Sequence, residues 1–317
     1  MSIGPRWAVP ADLLAASRPP FNLLDAPGVL WAPDDPHWVN GISAEPDKCS
    51  VPLDIDNASS GDFPYWWQCE PAGGQSAVSA LTTKIIADGR GPISIDAFTV
   101  WVGYLCSPQD LNSDLRRAEV EKTLRRSIEV VTRIAVEREL STGQITRRSR
   151  IEGSWLQKIP MTATVNGAGR TGFVSALGEL EQLLADNGNM SGRRYIHAQP
   201  RVVNAWASRG LVQIAPDGTF LRTTLGTIVV PGVGYTGGAP GDENSSGSMN
   251  GSWAYGTGPI KVAVGELTPI SWGADSLDRP NNEREVRIER EVAIVWDPCV
   301  KVAAFVNPCD EYCGTGS

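Results

Sequence analysis

SPQDLNSDLRRAEVEKTLRRSIEVVTRIAVERELSTG, residues 107–143, is the stretch on which the fold turns. Pro108 and acidic residues stand near its start and Gly143 follows its end, which is the punctuation of a helix. Apolar residues fall at Leu111, Leu115, Ala118, Leu124, Ile128, Val131 and Ala135, a narrow stripe along one side. The other side is crowded with Arg and Glu at pairing distance, Glu121 with Arg125 and Glu129 with Arg133. About 30 helical residues give a rod of roughly 45 Å. The stripe is interrupted near Glu121, and the sequence holds no second long helix to wind around it. A single long helix lying across a sheet fits better than a coiled coil.

Upstream, PISIDAFTVWVGYLC (92–106) reads as a strand of about a dozen residues. Ile93 and Ile95 occupy one face before Phe98, Val100 and Val102 take the other, a shift of phase that suggests a bulge. Residues 1–50 carry prolines at 5, 10, 19, 20, 27, 33, 36 and 46, which forbid a long helix or a central strand. Yet Leu23, Leu24, Val29, Leu30, Trp31 and Trp38 are too apolar for a solvated tail. The segment therefore reads as an extended arm that buries large side chains on its own core or on a neighbouring subunit. Residues 51–91 are mixed, and the Trp66-Trp67 pair asks for a partner surface.

Downstream, 144–170 is rich in Thr and Arg with few helical cues. GFVSALGELEQLLADNG (172–188) places Phe173, Leu177, Leu180 and Leu184 on one helical face and closes on Asn187-Gly188. RRYIHAQPRVVNAWASRG (193–210) reads as strand, then a helix opened by Pro200 and capped by Gly210, with His197 as a packing residue at the strand end. Strands are expected at 219–230 and 259–267, separated by a Gly/Ser loop at 232–252. EVRIEREVAIVW (285–296) alternates, with Val286, Ile288, Val292, Ile294 and Trp296 on one face and Glu285, Arg287, Glu289 and Glu291 on the other. VKVAAFV (300–306) repeats the pattern after Asp297-Pro298, so the two segments read as a terminal hairpin. Helices and strands neither alternate strictly nor segregate by type, and the class is α+β.

Little in these 317 residues points to chemistry. His37 and His197 are the only histidines, and neither has a second ligand nearby in sequence. Cys49, Cys69, Cys106, Cys299, Cys309 and Cys313 contain no C-x-x-C and read as free thiols of a reducing compartment. GVGYTGG (232–238) fits G-x-G-x-x-G after a strand-like run, but it continues into loop where a dinucleotide site needs a helix. Asp54, Asp56 and Asp62 lack the offsets of a calcium loop. No catalytic, cofactor-binding or metal-ligating residue is assigned, no cofactor is expected, and the protein is not expected to be an enzyme. A formal charge of −8 argues against a duplex-wrapping protein, and no run approaches the apolar length of a membrane span. The opening MSIGPRWAVPADLL lacks the layout of a signal peptide, so synthesis inside the cell is expected. The 11 tryptophans are unevenly placed, with Trp7, Trp31, Trp38, Trp66, Trp67 and Trp101 in the first third.

VGYLCS, IAVERELSTG, RRYIHAQPRVV, LGTIVVPGVGY, SWAYGTGPIKVAVGEL and VRIEREVAIVWDPCVKVAAFV, in this order across roughly residues 95–306, resemble blocks of tailed-phage major capsid proteins of the Hong Kong 97 type, in particular those of phages infecting actinobacteria. The resemblance implies an N-terminal arm at 1–50, an extended β-hairpin loop and first peripheral strand at 51–105, and a spine helix at 106–143. It further implies a peripheral domain at 144–170, an axial domain at 171–275, and a peripheral return with C-terminal tail at 276–317. The implied function is a structural subunit that self-assembles as hexamers and pentamers into an icosahedral head around double-stranded DNA, made in the bacterial cytoplasm and located in the virion. Implied partners are other copies of the chain through arm and loop, a separate scaffolding protein, a portal at one vertex and non-specifically held DNA, with no membrane. The Glu/Arg face of 112–139 is expected to make ion pairs within and between subunits. Lys48 and Lys84 lie where such families place cross-linking lysines, but nothing marks either as reactive. Deleting residues 1–45 is expected to leave a folded subunit that assembles poorly. The alternatives are an encapsulin-type nanocompartment shell and, in another class, a Trp-rich carbohydrate-binding β protein.

Overall fold

The computed structural model describes residues 21–30, 42–44, 93–95, 97–106, 114–143, 156–157, 163–165, 172–187, 193–242, 244–248, 251–268, 277–278, 283–296 and 300–307. In chain order these form a 3-10 turn at Leu23–Asp25, β1 (Ile42–Ala44), β2 (Ile93–Ile95), β3 (Phe98–Cys106), α1 (Asp114–Thr142) and β4 (Ala163–Val165). Then come α2 (Phe173–Asn187), β5 (Tyr195–Ala198), α3 (Pro200–Ser208), β6 (Val212–Ile214), β7 (Leu221–Thr223) and β8 (Ile228–Pro231). β9 (Ser252–Thr257), β10 (Ile260–Val264), β11 (Leu277–Asp278), β12 (Glu283–Trp296) and β13 (Lys301–Val306) complete the series. The class is α+β, as the sequence implies.

The change of phase after Ile95 marks a change of sheet, not a bulge. β2 pairs antiparallel with β1 in a two-stranded ladder, whereas β3 pairs along its whole length with β12. The ladder brings Ala44 opposite Ile93, so the chain between them leaves and returns at one place. β12 is the central strand of a four-stranded sheet, with β3 on one edge and β10 and β11 at the two ends of the other. Phe98, Val100, Val286, Ile288 and Val292 share the face that α1 covers.

α1 has 29 residues, about 44 Å at the usual rise, and lies across that sheet as a single rod. Residues 107–113 of the expected helix fall outside the described residues. Its buried series is Val120, Leu124, Ile128, Thr132, Val136 and Leu140, whereas Leu115 is 86% exposed and Val131 38%. The expected stripe therefore has the wrong phase at both ends. A strict i+4 series drifts about 40° around the helix at each step, so one stripe can follow a twisted sheet that a straight stripe cannot. Thr132 hides in the series because its hydroxyl bonds back to the Ile128 carbonyl at 2.6 Å, satisfying itself inside the core. Thr132→Val is expected to leave the thermal midpoint unchanged or raise it, within about 1 kcal/mol. A fall of several degrees would mean that the core depends on the Thr132 hydroxyl bond.

β12 and β13 do not form the expected hairpin. β13 enters a seven-stranded sheet of order β4-β13-β9-β5-β8-β7-β6, between β9 and β4. Val302, Ala303, Ala304 and Val306 are all buried, which requires cover on both faces. On one face, Phe173, Leu177, Leu180 and Leu184 of α2 and Val202, Val203 and Trp206 of α3 pack against Ile196, Val229, Ala254 and Val302. On the other, Tyr195, Val230, Tyr255 and Ala303 join the core beneath α1. The layers are thus α2 and α3, the seven-stranded sheet, and α1 with its own sheet. The expected strand at 219–230 is two strands turning at Gly226, whose φ of +93° suits glycine.

Candidate functional site: the polar junction at the end of the long helix

The loop that follows β8 runs along the C-terminal half of α1, and the glycines of GVGYTGG explain how closely. A Cβ on Gly234 would stand 2.5 Å from the Ile134 carbonyl oxygen and 2.6 Å from the Glu137 Cβ, and one on Gly232 would stand 2.6 Å from the Glu137 carboxyl carbon. The Gly234 N–H donates to Glu137 Oε2 at 3.0 Å. The motif brings backbone against a carboxylate of its own chain, and that contact occupies the place a phosphate would need.

Behind it lies a buried polar network. The Tyr235 hydroxyl and His197 Nδ1 are 2.9 Å apart, and His197 Nε2 and Thr257 Oγ1 are also 2.9 Å apart. His197 is buried with both ring nitrogens held, and burial pushes it down to about 3, so the imidazole is neutral near pH 7. Gln199 Nε2 donates to the Tyr235 and Thr236 carbonyls at 3.0 and 2.8 Å, and the Tyr255 hydroxyl donates to the Gly238 carbonyl. Gln157 Nε2 donates to Thr236 Oγ1 at 2.5 Å. Burial raises both Tyr235 and Tyr255 above the usual phenol range. This arrangement holds a loop in place: neither ring nitrogen of His197 is open to a substrate. Among the described residues, no group of three His, Cys, Asp or Glu is placed to hold a metal ion, and no helix is long and apolar enough to cross a membrane.

The expected ion pairs divide. Glu121 and Arg125 meet at 2.8 Å on the surface of α1. Glu129 and Arg133 do not pair with each other: Glu129 meets Arg290 of β12, and Arg133 meets Asp25 of the arm at 3.3 Å. Strict alternation puts Arg290 on the same face as Ile288 and Val292, and a buried guanidinium needs an acid from the covering helix. That parity is the signal by which the sequence could have disclosed it.

Trp101 is 51% exposed on the outer face of β3, with the Arg287 guanidinium 4.6 Å from its ring centroid. Trp206 is fully buried and donates its indole N–H to the Phe173 carbonyl at 2.8 Å. Trp7, Trp31, Trp38, Trp66 and Trp67 lie outside the described residues, as do His37, Lys48, Lys84, Asp54, Asp56, Asp62 and every cysteine except Cys106.

No family model and no curated protein matches the sequence. Solved structures are similar over much of the chain. The resemblance is to phage capsid and encapsulin chains. One is the capsid of an empty GTA particle, 11% identical, with a TM-score of 0.47 over 97% of this chain and 94% of that one. Another is the SrpI encapsulin complex from Synechococcus elongatus PCC 7942, 14% identical, with a TM-score of 0.43 over 69% of this chain and 76% of that one. A chain of Mycobacterium phage Patience is 14% identical, with a TM-score of 0.40 over 74% of this chain and 77% of that one.

Proposed function

We propose that the protein is a non-enzymatic shell subunit that self-assembles through hexamers and pentamers into an icosahedral phage head enclosing double-stranded DNA. The observation that carries this reading is the path of the chain. An arm segment is followed by an excursion closed by β1 and β2, then a strand, a long helix across it, a second α/β lobe, and a return strand β12 beside the first. That path follows the order of the sequence blocks that resemble Hong Kong 97-type capsid proteins. On this reading 106–143 is the spine, 144–170 peripheral, 171–275 axial and 276–317 the peripheral return, with scaffold and portal as separate partners.

The surface of α1 supports a role in assembly. Opposite its buried series runs a second i+4 series, Lys122, Arg126, Val130, Ile134 and Arg138, all exposed. Exposed β-branched residues flanked by cations suit a surface that neighbouring copies cover, with charges setting register. Closed rings of such heterologous contacts make capsomers.

Negative-stain microscopy of the expressed protein is expected to show rings or closed shells, and particles from infected cells are expected to contain long double-stranded DNA. Monomers under every condition tried would sink the shell reading. Shells holding a cargo enzyme in place of DNA would establish the encapsulin-type alternative.

A further inference from the structure

β3 is an edge strand of the four-stranded sheet, and the pairing on its inner side fixes which of its backbone groups point outward. The Val262 N–H of β10 turns away from β12 to donate to the Val29 carbonyl at 2.7 Å, so Lys261 and Ala263 are the residues that bond β12, at Val295 and Ala293. Further along the same side of β12, the Glu291 and Glu289 carbonyls accept from the Gly265 and Thr268 N–H groups at 2.8 and 2.9 Å. The odd-numbered residues of β12 therefore bond toward β10 and the even-numbered ones toward β3. Their partners on β3 are Phe98, Val100, Val102, Tyr104 and Cys106. By alternation, the N–H and C=O groups of Thr99, Trp101, Gly103 and Leu105 point away from the sheet. Among the described residues, no group bonds to them.

The other edges among the described strands are short or covered. β4 and β6 have three residues each and β11 has two, and β10 already carries the bond to Val29. β3 has nine, FTVWVGYLC, with none of the prolines or charged side chains that keep an edge from pairing. On its outer face Trp101 is 51% exposed, two residues from the exposed Gly103.

We propose that β3 is a docking seat for β3 of a second copy, the two strands running antiparallel about a two-fold axis at Val102. The strand is complementary to itself in this register, which alone pairs all the outward residues. Thr99 meets Leu105 and Trp101 meets Gly103, each pair exchanging two backbone hydrogen bonds. The indole of each copy comes to lie beside the bare glycine of the other, where an aromatic ring covers what a missing side chain leaves open. The flanking charges agree with it. On its own sheet Gly103 lies opposite Arg287 and Trp101 opposite Glu289, and Arg287 and Glu289 meet at 2.7 Å. Across the axis each row reads Arg287, Gly103, Trp101, Glu289, with opposite charges at its two ends. The contact is isologous and stops at two copies. It rests on the sheet and stands whether or not shells form; within a shell it would join one ring of copies to the next.

Disulfide capture tests it. Val102 sits on the axis, where the Cα atoms of a non-bonded pair stand about 4.5 Å apart, within disulfide reach. Val100 is displaced from its counterpart by four residues, about 13 Å. Under mild oxidation, full-length Val102→Cys is expected to form a covalent dimer at least tenfold faster than Val100→Cys. Peptide mapping is expected to find residue 102 joined to residue 102, apart from any link through the native cysteines. Adding Trp101→Lys, which sets a cation on each side of the axis, is expected to abolish the link. Equal rates at 100 and 102 would overturn the proposal, and shells that lack the 102–102 link would sink it while leaving the shell reading in place. Should the cysteine variants fail to fold, hydrogen exchange of the wild-type Trp101 and Gly103 amides decides. Protection that rises at least tenfold from dilute to concentrated protein supports the pairing. Protection that does not change with concentration means that the chain itself holds the edge or that nothing does, and refutes it.

Discussion

A chain that starts at residue 31 is expected to lose about 5 kcal/mol of stability relative to one that starts at residue 21. Leu23 and Val29 have no exposed surface and Ala26 is 6% exposed, so the shorter chain gives up the burial of three core side chains and leaves an open trough in the cluster under α1. The Asp25–Arg133 pair and the hydrogen bonds from the Tyr195 hydroxyl to the Pro27 carbonyl and from the Val262 N–H to the Val29 carbonyl go with them. Small proteins hold only about 5–15 kcal/mol in all, so the truncated chain is expected to be partly unfolded at room temperature. Urea titration of the two truncations measures the difference directly. Coincident midpoints would mean that residues 21–30 contribute nothing to the core. This revises the expectation that removing residues 1–45 spares the fold: at least part of the arm belongs to its own subunit.

Gly234→Val is the second large effect, expected at about 3 kcal/mol from overpacking alone. The new side chain has no room, because its first carbon already collides with the Ile134 carbonyl oxygen and the backbone nitrogen of Arg138, both parts of a rigid helix. The loop must lift, which breaks the Gly234–Glu137 bond and strands a buried carboxyl group. Gly218, where a Cβ meets nothing within 4 Å, serves as the control. Its φ of +73° makes Gly218→Ala mildly strained, at roughly 1 kcal/mol. Equal thermal shifts for the two variants would contradict the close approach of loop and helix.

The parts of the fold legible in the sequence are those where one residue's environment repeats at a fixed spacing. Phe173, Leu177, Leu180 and Leu184 lie where helical spacing puts them, and Val286, Ile288 and Val292 where strand alternation does. Pro200 and Gly210 bracket α3 as start and stop. Spacing misleads where a residue satisfies itself or where cover is double. Thr132 counts as polar until its hydroxyl is seen bonding to its own helix. β13 counts as half of a hairpin because Asp297-Pro298 reads as a turn, although Ala303 and Phe305 between its valines already signal a strand covered on both faces. β9 gives almost no signal, since its Gly256 must stay bare to admit Leu184 and Val302. The junction at Glu137 is invisible for another reason: it depends on a meeting of residues 137 and 234, which no local pattern encodes.

The positions of β12 and β13 also bear on how the protein is made. Each is interior to its sheet, β12 between β3 and β10, and β13 between β4 and β9. Both leave the ribosome after every other described element. Until they emerge, β3 has no partner and β9 lacks one neighbour, so a nascent chain carries two unfinished sheets with open edges. Folding of the two halves therefore waits until residues 283–306 have been made, and a chain broken before them can complete neither sheet.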